Sequence, residues 1–215
     1  MSERDVPVPD ILPGWYGKLP GMGDFAHRRV PDAFRQAWDR WLQNGLAQLR
    51  ARHEDWTDRY LKAPLWCFVL GDGVIGEPSW IGVLMPSVDS VGRYFPFTIV
   101  DELVWAPAEL RGDVLSRAQR WFVMAAQVAV DGLDKDLDAS RFEALLLQSF
   151  SVEQAAPSLQ EQSDEAEMAL PEFGQSLWFT DPAAETGQAM STQGLPQDEQ
   201  FETLFGYAAG HEEQP

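Results

Sequence analysis

Apolar residues recur at spacings of three, four and seven after Pro31. Phe34, Ala37, Trp38, Trp41, Leu42 and Leu49 fall on one stripe, which predicts an amphipathic helix opened by Pro31 and Asp32 and ending near Arg52. The pattern then changes. Three short β-prone runs, Leu65 to Leu70, Trp80 to Met85 and Phe95 to Val100, are each bounded by glycine, proline or aspartate, as strands of one mostly antiparallel sheet would be. Helical spacing returns from Asp113 to Val130, where Val114, Leu115, Ala118, Trp121, Phe122 and Ala125 stay in phase, and again from Arg141 to Phe150. A further strand is predicted at Ser176-Leu-Trp-Phe-Thr. A polar loop and a short helix from Gln197 to Phe205 follow it, with Phe201, Leu204 and Phe205 on one side. Upstream, Trp15 to Phe25 reads Trp-Tyr-Gly-Lys-Leu-Pro-Gly-Met-Gly-Asp-Phe. This is an extended segment entering a tight loop, with something packed closely on its backbone.

These elements imply an α/β (α+β-like) fold: a single domain with a mostly antiparallel central sheet flanked by helices. A chain of 215 residues, 45% hydrophobic and 12% aromatic, is long enough for a sizeable core within one domain. The expected boundaries are a flexible N-terminus over 1–13, the α/β domain over 14–205 and a disordered tail over 206–215. Inside the domain, residues 151–175 are rich in Glu, Gln, Ser and Ala and are expected to form an acidic mobile segment. No internal repeat is visible.

Charge narrows the choice of partners. The net charge of −18 opposes a broad electrostatic grip on nucleic acid or on an anionic membrane. No run approaches the roughly 18 apolar residues needed to span a bilayer, and Met1 to Pro13 lacks a basic-then-apolar signal, so a cytoplasmic location is expected. From Phe142 to Pro215 there are 14 acidic residues and no Lys or Arg, against 20 acidic and 16 basic in residues 1–141. That excess reads as a solvated acidic face and tail, or else as a docking surface for a basic partner. Cys67, the one cysteine, stands between Trp66 and Phe68; it reads as a buried structural thiol.

Several patterns imitate chemistry without completing it. Gly71-Asp-Gly-Val-Ile-Gly76 fits the spacing of a dinucleotide fingerprint, but Glu77-Pro78 and a strand-like run follow where a helix should begin, so a hairpin connection is expected. Asp134, Asp136 and Asp138 resemble the opening of a calcium loop. Ala139 and Leu145 occupy the positions that would require glycine and glutamate, so a capped helix start is expected instead. His27, His53 and His211 are too dispersed to form a metal site. Asp24 and His27 could orient a general base, but no nucleophile accompanies them. No catalytic residue, metal or cofactor is therefore assigned. Lys18, Asp24, Arg28 and Arg29 border the glycine-rich segment, the composition of either a buried ion-pair network or a partner-contacting edge. Ser87-Val-Asp-Ser-Val-Gly-Arg-Tyr94 links two apolar runs, either as a binding loop or as a plain hairpin or crossover.

Taken in order, Gly17-Lys-Leu-Pro with Gly23-Asp-Phe, then Arg29, Pro31, Phe34, Trp38 and Trp41, then Ala63-Pro-Leu-Trp66, and above all the run Gly82 to Pro96 resemble the TagF family. Ser176-Leu-Trp-Phe-Thr and Gly194-Leu-Pro resemble its shorter C-terminal signature. The resemblance implies an α/β domain encoded with bacterial type VI secretion machinery. It also implies a role after translation in restraining assembly or firing, in some members through a forkhead-associated scaffold protein. Some members carry a fused PP2C-type phosphatase domain; this chain does not, and no catalytic residue is carried over. The aromatic and arginine content of Trp15 to Trp41 suits an interface core. The partner-binding candidates are accordingly Lys18, Gly23, Asp24, Phe25, Arg28, Arg29, Asp89, Arg93 and Tyr94. The competing functions are a structural or assembly-assisting component of the same apparatus and, more remotely, a hydrolase or nucleotide-dependent enzyme with a pocket at Asp24, His27 or Gly71–Gly76.

Overall fold

The computed structural model describes residues 12–103, 112–154, 170–181 and 187–207. Of the expected flexible N-terminus over 1–13, residues 1–11 lie outside the described residues, as do residues 155–169 of the acidic segment and residues 208–215 of the expected tail over 206–215. The chain runs β1 (Gly14–Lys18), β2 (Phe25–Arg28), α1 (Asp32–Arg52), α2 (Trp56–Tyr60), β3 (Trp66–Leu70), β4 (Trp80–Met85), β5 (Phe97–Glu102), α3 (Gly112–Asp134), α4 (Ala139–Gln154), β6 (Gln175–Phe179), β7 (Ala189–Gln193) and α5 (Asp198–Leu204).

The seven strands form one sheet in the order β2-β1-β5-β4-β3-β6-β7. Every neighbouring pair is antiparallel. Helices cover both faces, which explains why the three central strands read as continuous apolar runs. On one face Phe68, Leu70, Leu84 and Val100 pack with α1, α2 and α5. On the other, Cys67, Val69, Ile81, Val83, Phe97 and Ile99 pack with α3 and α4. Side chains alternate along a strand, and the register places Cys67 opposite Val83 and Phe179, so each layer receives residues of one parity. Cys67 is indeed buried and unpaired, and burial pushes its thiol pKa up.

The α1 layer is organised around Trp38, which is fully buried. Its ring lies within 4.6 to 6.1 Å, centroid to centroid, of Trp41, Phe68, Phe34 and Trp178. A buried indole must still place its N–H, and here Nε1 donates to Thr98 Oγ1 at 2.9 Å. The same need is met at Trp41 by the Pro196 carbonyl (2.7 Å), at Trp66 by the Leu204 carbonyl (3.0 Å) and at Trp178 by Ser176 Oγ (2.8 Å). Two of these acceptors lie beside or within α5, so the tryptophans tie the end of the described chain to α1 and β3.

The predicted helices and apolar strands form, with boundaries shifted by a few residues. Three elements did not stand out in the sequence. β2 and β7 are the edge strands, short and largely exposed; β2 buries only Ala26 and β7 only Thr192. Polar, short edges are how sheets avoid pairing with other chains, and the same property removes the alternating pattern that would announce them. α2 is a single turn with one buried residue, Tyr60. The predicted hairpin at Gly71–Gly76 joins β3 to β4, with Gly73 and Gly76 at φ values of 82° and 75°; a strand follows, so no helix N-terminus faces these glycines. Asp138 caps α4 by accepting from the Ser140 and Arg141 amides, both at 2.9 Å. Among the described residues no helix is long and apolar enough to cross a membrane.

Trp38 supplies the test of this packing. Trp38→Ala removes the centre of the α1 layer and leaves the Thr98 hydroxyl buried, so urea unfolding should show a loss of about 3–5 kcal/mol.

Candidate functional site

Two connections meet at one end of the sheet: residues 19–24 between β1 and β2, and residues 86–96 between β4 and β5. β1 can approach the start of β5 because Gly17 carries no side chain; a Cβ there would collide with the Pro96 carbonyl and lie 2.8 Å from Phe97 Cα. Lys18, the last residue of β1, then points its ammonium into the 86–96 connection.

Its target is Asp89. The pair is buried, with Lys18 Nζ 2.5 Å from Asp89 Oδ2. Arg93 Nε donates to the same oxygen at 2.7 Å, and Oδ1 accepts the Val91 and Arg93 amides at 3.1 and 2.9 Å. Four donors thus converge on one carboxylate, whose acceptor capacity they fill. Burial pushes the Asp89 pKa up, but these bonds outweigh it and hold the group well below the ordinary carboxylate range. Gly92 follows at φ 81°, the left-handed conformation that the tight turn around Asp89 requires.

The network extends outward. Arg93 Nη2 donates to the Gly23 carbonyl, and the Ser90 amide to the Met22 carbonyl at 2.8 Å. Ser87 Oγ donates to the Lys18 carbonyl at 2.6 Å, and the Tyr60 hydroxyl both donates to the Ser87 carbonyl and accepts its amide, each at 3.0 Å. The two connections are therefore one body. Gly23 serves through its carbonyl, since a Cβ at that position would meet nothing closer than Ser90 Oγ at 3.6 Å.

Phe25 sits on this body, 41% exposed, its ring 4.8 Å from Lys18 Nζ and edge-on to Phe95 at 4.7 Å. Val91, at the tip of the 86–96 connection, is 66% exposed. Sequence reasoning did not single it out, and only its place among turn residues could have flagged it. Asp24 is exposed and accepts the Phe25 amide at 2.8 Å; no hydrogen bond joins it to His27 among the described residues. The Tyr94 ring packs edge-on against Trp56 and Tyr60.

Arg28 and Arg29 lie at the far end of β2 and do not join this group. Arg29, at φ 54°, pairs with Glu143 of α4 and donates to the Leu12 and Pro13 carbonyls. Trp15 Nε1 donates to the same Glu143 at 2.9 Å. Arg29 therefore anchors the sheet edge to α4. Arg28 remains exposed, its guanidinium 5.9 Å from the Trp15 ring. Among the described residues no group of three His, Cys, Asp or Glu could hold a metal ion.

Together these features define a three-layered α/β domain with a helix-covered antiparallel sheet and a rigid, partly apolar end. The chain belongs to the TagF family: residues 14–149 match the TagF N-terminal domain, Type VI secretion system-associated, which makes it a type VI secretion-associated accessory protein. The crystal structure of PA0076 from Pseudomonas aeruginosa PAO1 is similar in fold, with a TM-score of 0.67 and 29% sequence identity over 90% of this chain and 93% of that one. No curated protein matches the chain.

Removing one partner of a buried pair costs far more than the pair is worth. Lys18→Met should lower stability by about 3 kcal/mol in chemical denaturation, and Lys18→Met combined with Asp89→Asn by less. The pH dependence has a definite sign. Asp89 has a lower pKa folded than unfolded, so the unfolded state binds more protons in acid. Its contribution is complete above the unfolded carboxylate range near about pH 4 and is lost as the pH falls through the depressed folded value. Asp89→Asn should flatten the acid limb of a stability-against-pH curve; an unchanged limb would assign it to other carboxylates.

Proposed function

We propose that the chain is a negative regulator of type VI secretion. In this reading it acts after translation in the cytoplasm, binding a component such as the forkhead-associated scaffold protein and competing with a contact that assembly or firing requires. It needs no catalysis for this, only a stiff surface that buries well. One observation carries the reading: Val91 and Arg93 are exposed on, and Phe25 beside, a loop pair whose interior is fixed by the saturated Asp89 carboxylate. An exposed aromatic held rigid loses little freedom on binding, which is the property of interface anchors. Gly23, Asp24 and Phe25 belong to the contacting rim, Lys18 and Asp89 support it from beneath, and Tyr94 flanks it, while Arg28 stands apart at the other end of β2. Arg29 contributes by fixing the end of β2.

The reading is tested in pull-downs with the forkhead-associated scaffold protein. Val91→Asp places a charge at the exposed tip without touching the Lys18–Asp89 pair. It should leave the melting temperature unchanged and cut capture about tenfold or more. In cells, deletion of the gene should raise secretion. Secretion abolished by deletion would instead identify an assembly-assisting component, and undiminished capture by Val91→Asp would move the interface elsewhere.

A further inference from the structure

Beside the 86–96 connection, on the α1 face, Arg50 is held in a distinct way. It lies in the last turn of α1, its guanidinium 4.6 Å from the centroid of the Trp56 ring. Trp56 in turn meets Tyr94 edge-on at 5.4 Å and Tyr60 at 6.0 Å. Tyr60 is buried and locked by both of its bonds to Ser87, so the shelf beneath Arg50 is fixed from below. Nη2 of Arg50 donates one hydrogen to the Tyr94 carbonyl at 3.4 Å, which orients the guanidinium and leaves Nε, Nη1 and the second Nη2 hydrogen without an acceptor among the described residues.

The charge context makes this unusual. The chain has 34 acidic residues for 16 basic ones, and Arg29, Arg35, Arg52, Arg59 and Arg93 each have a carboxylate partner. Arg50 has none among the described residues. Among the described residues Arg28, Arg40 and Arg117 also lack one, but Arg40 and Arg117 have no aromatic shelf there, and Arg28 lies 5.9 Å from its ring. An exposed guanidinium stacked on an indole keeps its edge free while its face is desolvated, so it receives a planar anion with little ordering cost.

We propose that Arg50, on the Trp56–Tyr94 shelf, is a receptor for a carboxylate in an acidic segment of a protein partner. A carboxylate suits it better than a phosphate. The free edge offers one planar fork, whereas a phosphate gathers several cations, and the neighbouring Arg93 guanidinium is already committed to Asp89 and Gly23. The inference rests on the reading of the chain as a binding module and adds the chemistry of what is bound, without depending on which secretion component supplies it.

The test uses the full chain and a fluorescein-labelled, N-acetylated hexaglutamate amide, followed by anisotropy at physiological ionic strength, where the repulsion from the chain's net negative charge is screened. Saturable binding is expected. Arg50→Gln should weaken it about tenfold, and Arg50→Lys about threefold because the ammonium keeps the charge and loses the fork. Arg117→Gln, an exposed arginine on the opposite helical layer with no carboxylate partner among the described residues, should leave it unchanged. Matched melting curves for Arg50→Gln and Arg50→Lys establish that the fold is intact. Equal losses with Arg50→Gln and Arg117→Gln would show diffuse electrostatics and overturn the proposal. So would an absence of hexaglutamate binding, or displacement of the peptide by inorganic phosphate at concentrations where free glutamate has no effect.

Discussion

β3, β4 and β5 carry no polar side. Each presents apolar residues to both faces of the sheet, so each face needs a helical layer to keep water from it. That constraint explains the order of the chain. α1 and α2 are laid down before β3, and α3 and α4 after β5, on the opposite face. α5 then returns to the first layer, placing Phe201 and Leu204 against the α1 cluster. The edges obey the inverse rule: β2 and β7 are short and polar because they face solvent.

A sheet covered in this way leaves its strand ends as the places where function can vary without disturbing the core. At the end formed by residues 19–24 and 86–96, stiffness comes from desolvated charge. Asp89 is buried at a cost that only its four donors offset, and they come from three features: Lys18 from β1, the Val91 and Arg93 amides from the turn itself, and the Arg93 side chain from the bridge towards Gly23. The exposed Phe25 and Val91 thus stand on a frame that cannot relax independently of β1. Mobility there would require an unpaired buried ion.

How much of this could be read from residues alone follows the range of the interactions. Local periodicity revealed α1, α3, α4 and the apolar strands, and the Asp138 cap was readable because its donors lie two and three positions ahead. The glycine spacing at Gly71–Gly76 was readable as a hairpin because a helix could not follow Glu77-Pro78. The site was legible only in composition. Lys18 and Asp89 are 71 positions apart, and Arg29 and Glu143 are 114 apart, so nothing local distinguishes an arginine that braces a sheet edge from one that meets a partner. Sequence grouped Arg28 and Arg29 with Lys18; the fold puts them at the other end of a four-residue strand. Arg50 went unnoticed because its significance lies in the carboxylate it lacks among the described residues and in the Trp56 ring six residues on.

The acidic C-terminal third looks detachable by charge, and the family match stops at residue 149. The packing argues otherwise. β6 pairs with β3 over four residues, Trp178 stacks against Trp38 and Phe68, and the carbonyls of Pro196 and Leu204 accept from Trp41 and Trp66. Without these segments β3 would become an exposed edge, apolar on both sides, and two buried indoles would lose their acceptors. In α5 the Glu202 carboxylate takes Arg52 and His53, while Phe201 beside it is buried against Trp41. Charge and core are therefore written into the same short helix.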